Sequence, residues 1–176
     1  MRPWPWADVR AAARLSVPAL GTSLVVLDDA SGEALAFGPG LVAGDPLRSA
    51  RETIALGGHR DTHLAFLADL APGTELRLES VDGRARRYVA GAGRVVDVRR
   101  ETVAVMDGVP GLVLVTCWPF DAPEAGGPLR WVVAARAADR GAPTRYPARS
   151  NPSSAGSRKA AKRLSSMPNQ PESTRS

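Results

Sequence analysis

Leu112-Val113-Leu114-Val115-Thr116-Cys117-Trp118-Pro119-Phe120 is an apolar run that ends in the sole cysteine of the chain and is stopped by a proline. Such a run reads as a strand, and the proline behind it turns the chain out of the ladder. Cys117 therefore stands at the C-terminal end of a strand. A single cysteine forms no intramolecular disulfide, which leaves packing or chemistry as its reason. Taken alone, a cysteine there reads as a small buried hydrophobe. Two further stretches reverse that reading.

Gly57-Gly58-His59-Arg60-Asp61-Thr62-His63 holds both histidines and follows a second apolar run, Thr53-Ile54-Ala55-Leu56. A neighbouring imidazole shifts a thiol toward thiolate, and the same imidazole can later protonate a leaving amine. The paired glycines let the backbone turn sharply or approach a bound chain. Arg130 opens a third run, Arg130-Trp131-Val132-Val133-Ala134-Ala135. Its guanidinium stays charged and offers a rigid fork of donors suited to an oxyanion or a substrate carbonyl. Separately each has a dull explanation, a solvated arginine or an idle loop histidine. Together they put a thiol, an imidazole and a guanidinium at the ends of three expected strands.

The rest of the chain repeats the pattern of short apolar runs broken by turns. Strands are expected at residues 15–17, 22–27, 53–56, 75–79, 86–90, 94–98, 102–105, 113–116 and 130–135. Strands of this length and spacing read as an all-β barrel or sandwich. Hydrophobic residues make up 44% of the chain, while 17 glycines and 15 prolines supply the turns. A length of 176 residues allows one domain with a modest core. Apolar residues at helical spacing over 62–70 (THLAFLADL) predict one short helix after the histidine loop.

Three separated motifs, in order, make the chain resemble the sortases, the cysteine transpeptidases of bacterial surfaces. The family pattern Thr-Leu-x-Thr-Cys is matched by Val113-Leu114-Val115-Thr116-Cys117, with Val113 in place of the first threonine. The stretch Gly58-His59-Arg60-Asp61-Thr62-His63 is similar to the histidine segment of proteobacterial sortases. So are Thr116-Cys117-Trp118-Pro119-Phe120-Asp121, Gly127-Pro128-Leu129-Arg130-Trp131-Val132-Val133 and the earlier run from Ala30 to Gly40. The resemblance spans roughly residues 4–138. It implies a closed β-barrel of about eight strands with short peripheral helices. It also implies Cys117 as nucleophile, His59 as acid and base, and Arg130 as oxyanion donor, with Thr116 and Trp118 as further substrate-binding candidates. The expected substrate is a protein with a C-terminal sorting signal of the Leu-Pro-x-Thr-Gly type, and the acyl group passes to an amine. No cofactor or metal is expected.

Charge divides the chain. From Asp139 onward eight Lys/Arg face two acids, a net of +6, which leaves residues 1–138 with 15 basic and 16 acidic groups, a net of −1. Both lysines lie in this Ser-, Pro- and Arg-rich tail, which reads as disordered. The expected organisation is a lead-in over 1–14, a catalytic domain over 15–138 and a basic tail over 139–176. The tail is either a solvated extension or a contact for an anionic surface. Nucleic acid is not expected, because aromatic residues do not alternate with the basic ones. The family resemblance implies a monomer at the periplasmic face of the inner membrane, with possible membrane association. No apolar run of about 18 residues occurs, so an upstream anchor or an unanchored protein are the two readings of the start. Trp4 and Trp6 would then follow the anchor, near the interface where tryptophan is favoured.

Several neighbours admit two readings. His63, four residues from His59, has the spacing of a second metal ligand, yet no Cys or Glu completes a zinc set there. Asp61 either orients His59 or makes a local turn contact. Asp28-Asp29 with Asp121 and Glu124 are turn residues or an oxygen-rich calcium site. Trp118 and Phe120 line a pocket or pack in the core. Two rival functions remain open. One is a cysteine hydrolase that releases its thioester to water; the other is a sortase-like binding module without catalysis.

Overall fold

The alternation of leucine and valine in the cysteine run is the plan of the whole sheet. In the computed structural model, which describes residues 9–103, 109–123 and 126–138, the run forms β8 (Gly111–Cys117). Leu112 and Leu114 face an inner core, whereas Val113 and Val115 face a second, outer strip of valines. A strand covered on both faces reads as continuous apolar sequence, as this one does.

Eight strands close on themselves. They are β1 (Ala11–Val17), β2 (Thr22–Leu27), β3 (Gly40–Ala43), β4 (Thr53–Gly57), β5 (Glu75–Ser80), β6 (Ala85–Ala90), β8 and β9 (Leu129–Ala137), with β7 (Arg94–Asp97) outside the ring. The sheet order is β6-β5-β1-β2-β3-β4-β8-β9, and β6 pairs with β9 to shut the barrel. The nine residues of β9 are shared: its C-terminal half pairs β6 and its N-terminal half pairs β7. The pairing β4–β8 is parallel over five residue pairs, from Thr53↔Gly111 to Gly57↔Val115. Closure removes the exposed edges that an open sheet would leave.

The inner core gathers Leu15 and Val17 of β1, Ile54 and Leu56 of β4, Leu76 and Leu78 of β5, Tyr88 of β6 and the inward side chains of β8 and β9. The outer strip joins Val42, Ala55, Val96, Val103, Val113, Val115 and Val132. The strand expected over 102–105 is described only in its first half. Thr102 and Val103 have no strand pairing, although Val103 is buried in the outer strip, and residues 104–105 lie outside the described residues.

Peripheral helices are short. They are one turn of α-helix, α1 (Gly32–Leu35), capped by Ser31, whose hydroxyl accepts from the Ala34 N–H, and 3-10 turns at Pro18–Leu20, Pro46–Arg48 and Ala65–Ala68. The helix expected over 62–70 is the last of these. Its buried leucines fall at 64, 67 and 70, a spacing of three, which suits the tighter 3-10 turn. Residues 1–8 and the basic tail from 139 lie outside the described residues.

Candidate active site

Cys117 and Arg130 are direct partners in the antiparallel β8–β9 ladder. On the other side of β8, the parallel register with β4 ends at Gly57↔Val115, and the Gly58 N–H continues it by donating to Val115 O at 3.3 Å. His59 follows one residue later, past the end of β4. Alternation decides the face. Val113, Val115 and Cys117 share one side of β8, Val132 and Arg130 one side of β9, and Ala55 and Gly57 one side of β4. The valines and Ala55 belong to the outer strip, so Cys117 and Arg130 sit on that face. Cys117 and Arg130 therefore form a row across β8 and β9 at one end of the sheet, and the histidine loop leaves β4 on the other side of β8.

The histidine loop is shaped by a close approach. A Cβ on Gly58 would lie 2.9 Å from Leu64 Cγ and 3.4 Å from Pro39 Cβ. Leu64 is fully buried and its N–H donates to His59 O at 3.0 Å, which closes the turn. Cys117 and His59 are half-buried.

Arg130 is 5% exposed, and its Nη1 donates to Gly127 O at 2.7 Å and to Leu129 O at 2.9 Å. Its Nε is buried with no hydrogen-bond partner among the described residues. A buried donor left unpaired costs about 1–3 kcal/mol. Thr116 faces inward, is 0% exposed, and donates from Oγ1 to Gly58 O at 2.8 Å. Its hydroxyl thus ties the cysteine strand to the histidine loop.

Trp118 lies elsewhere than the row. It stacks on Trp131 at 5.0 Å and 23° and meets Phe120 edge-on at 5.5 Å. Phe120 and Trp131 both pack against the inner core, so the three rings cap the barrel end on the face opposite Cys117. The Trp118-Pro119 peptide is cis, and the Trp118 N–H donates to Leu129 O at 3.1 Å. Gly93 leaves room for this cap, since a Cβ there would fall 2.2 Å from Trp131 Cζ2.

His63 is half-buried, and its Nδ1 lies 3.4 Å from Thr62 Oγ1. Burial holds its pKa below the ordinary imidazole value, the neighbouring His59 lowers it further, and Asp61 opposes both. Among the described residues no three His, Cys, Asp or Glu side chains gather as a metal site, and Glu124 lies outside them. Sequence reasoning passed over Arg60. It is 8% exposed, and its Nη2 donates to Ala122 O at 2.8 Å, joining the histidine loop to the loop after Cys117. Its only signal in the sequence is its place beside His59.

The closed barrel, with a thiol paired to a guanidinium across β8 and β9, is the architecture of a cysteine transpeptidase. The chain belongs to the sortase family: the sortase domain model matches residues 15–138. The structure is similar to sortase A of Corynebacterium diphtheriae in a lid-mutant form. There the TM-score is 0.64, with 19% identity over 76% of this chain and 73% of that one. It is also similar to sortase C-1 of Actinomyces oris, with TM-score 0.59, 20% identity and 75% of each chain covered. For sortase A of Listeria monocytogenes the TM-score is 0.61, with 16% identity over 73% of this chain and 88% of that one. At such identities the likeness speaks for the fold. No curated protein sequence matches the chain. No helix among the described residues is long and apolar enough to cross a membrane.

Proposed function

We propose that Cys117, His59 and Arg130 carry out the family's transpeptidation on a sorting signal of the Leu-Pro-x-Thr-Gly type. The observation that supports this reading is the pairing of Cys117 with Arg130 across β8 and β9, with the histidine loop following β4, the other neighbour of β8. The Cys117 thiolate attacks the carbonyl carbon of the Thr–Gly bond, and the carbonyl electrons move onto oxygen. Arg130, with a buried donor unclaimed at Nε, accepts that developing charge. His59 gives its proton to the departing glycine amine as the C–N bond breaks, which leaves an acyl-thioester on sulfur. An incoming amine then attacks the thioester, His59 takes its proton, and Cys117 is released as thiolate. Thr116 acts here through Gly58, and Trp118 as part of the barrel cap.

Residues 15–138 form the catalytic domain in this reading, acting as a monomer on the periplasmic face of the inner membrane. Its partners are a substrate protein with a C-terminal signal and an amine of the acceptor. The test is intact-mass spectrometry after incubation with a Leu-Pro-x-Thr-Gly peptide library, wild type against Cys117→Ala. A thioester adduct or Thr–Gly cleavage that vanishes in the variant is the expected result. A folded wild type that neither forms an adduct nor cleaves any member would leave a sortase-like binding module in its place. Adding triglycine separates transfer from release to water.

A further inference from the structure

Beyond the last backbone bond, from the Gly58 N–H to Val115 O, side chains fasten the histidine segment to the cysteine segment at two points, one on each side of His59. Gly58 O accepts from Thr116 Oγ1 at 2.8 Å, and Arg60 Nη2 donates to Ala122 O at 2.8 Å. Residues 58 and 60 flank the histidine, and residues 116 and 122 flank the cysteine. Both fasteners are shielded from water, with Thr116 at 0% and Arg60 at 8% exposure. They lie where strand pairing has stopped, because β4 ends at Gly57. Past that point the parallel ladder no longer fixes the height of the backbone that carries His59. A guanidinium is costly to bury, and one that is buried is held by hydrogen bonds. Its bond to a carbonyl is charge-assisted and stronger than a neutral one.

We propose that Arg60 is a positioning residue of this enzyme. With Thr116 it forms a two-point clasp that sets His59 against Cys117 and ties the histidine loop to the loop that follows the cysteine. The inference rests on the active-site reading above. It extends that reading to the residue next to the histidine. A displacement of about 1 Å in such a pair can cost about a hundredfold in rate, so a clasp at this place has a catalytic consequence.

The test follows alkylation of Cys117 by iodoacetamide against pH in the full chain, for wild type, His59→Ala, Arg60→Gln, Arg60→Lys and Thr116→Val. An imidazole held beside a thiol makes the thiol's reactivity depend on it, so the wild-type rate profile is expected to carry a His59-dependent step. His59→Ala removes that step. Arg60→Gln and Thr116→Val are expected to shrink it by roughly half or more, while Arg60→Lys, which keeps a charged donor, retains most of it. In the peptide assay Arg60→Gln should lower kcat by about tenfold to a hundredfold and leave KM within about threefold. A step that His59→Ala abolishes but Arg60→Gln and Thr116→Val leave intact overturns the clasp alone. A step that His59→Ala does not alter, or no step in wild type, overturns the active-site reading and the clasp with it. Circular dichroism accompanies each variant. Should Arg60→Gln fail to fold, the nearly isosteric Thr116→Val decides by the same criterion.

Discussion

Arg130 shows at the scale of one residue how a strand end becomes a charge site. Nη1 is spent on Gly127 O and Leu129 O, and Nε is buried with no partner among the described residues; in the proposed mechanism this guanidinium meets the oxyanion. Lysine keeps the charge but not the fork. Arg130→Lys is therefore expected to lower kcat by about a hundred- to a thousandfold with little loss of stability, read by peptide cleavage beside thermal melting. Val113, the one departure from the family's cysteine motif, has its reason in packing. It is 1% exposed in the outer strip, beside Val115 and opposite Ala134 of β9, where a hydroxyl would need a partner that neighbouring valines do not supply. Cys117, His59 and Arg130 were legible because each combines a rare or charged type with the end of an apolar run. Arg60 was not, since nothing in its type separates a buried arginine from a solvated one.

Among the elements, legibility followed hydrophobic contrast. β2, β5, β6 and β8 appear near their expected limits because each has β-branched or leucine residues bounded by turn signals. β1 begins at Ala11, within the stretch expected as lead-in, because its pairing with β2 and β5 overrides the weak strand preference of alanine. β3 escaped notice, being four residues long and opened by a glycine that reads as a turn. The end of β7 carries its own electrostatic stop. Asp97 accepts from the Arg99 N–H at 3.0 Å, from Nε at 3.1 Å and from Nη2 at 2.8 Å. These bonds, the Arg99 side chain foremost, hold its carboxyl at about 2 against an ordinary 3.8. A lowered carboxyl pKa contributes stability above the unfolded value and loses it as pH falls through the folded one. Asp97→Asn should therefore remove part of the fall in melting temperature between about pH 4 and pH 2, leaving a flatter profile than wild type. Melting scans across that range read the difference.

For the whole molecule, closure matters more than any single strand. β9 serves both the ring, through β6, and the outer flap, through β7, so one strand carries Arg130 and seals the barrel. Leu114 lies at the inner core, 0% exposed, one turn of the strand pleat below Thr116. Leu114→Ala should open a cavity shared by several strands and cost about 2–5 kcal/mol, measured by denaturant unfolding. Because the strands of a single closed sheet share that core, the loss is expected as one cooperative transition seen alike by circular dichroism and tryptophan fluorescence.

The sequence by itself determined the all-β class, the strand-end placement of a thiol, an imidazole and an arginine, and the family to which those motifs point. Periodicity of two and the positions of glycine and proline are local properties, and local properties survive in a linear string. Which strands adjoin is not local. The parallel pairing of β4 with β8 joins residues 58 positions apart, as in Ile54↔Leu112, and only that pairing brings the histidine loop beside the cysteine strand, where the Gly58 N–H donates to Val115 O. The clasp of Thr116 on Gly58 and Arg60 on Ala122 likewise spans 58 and 62 positions. Only tertiary structure decided these, because a buried polar group takes whichever partner closure of the barrel brings within hydrogen-bond reach.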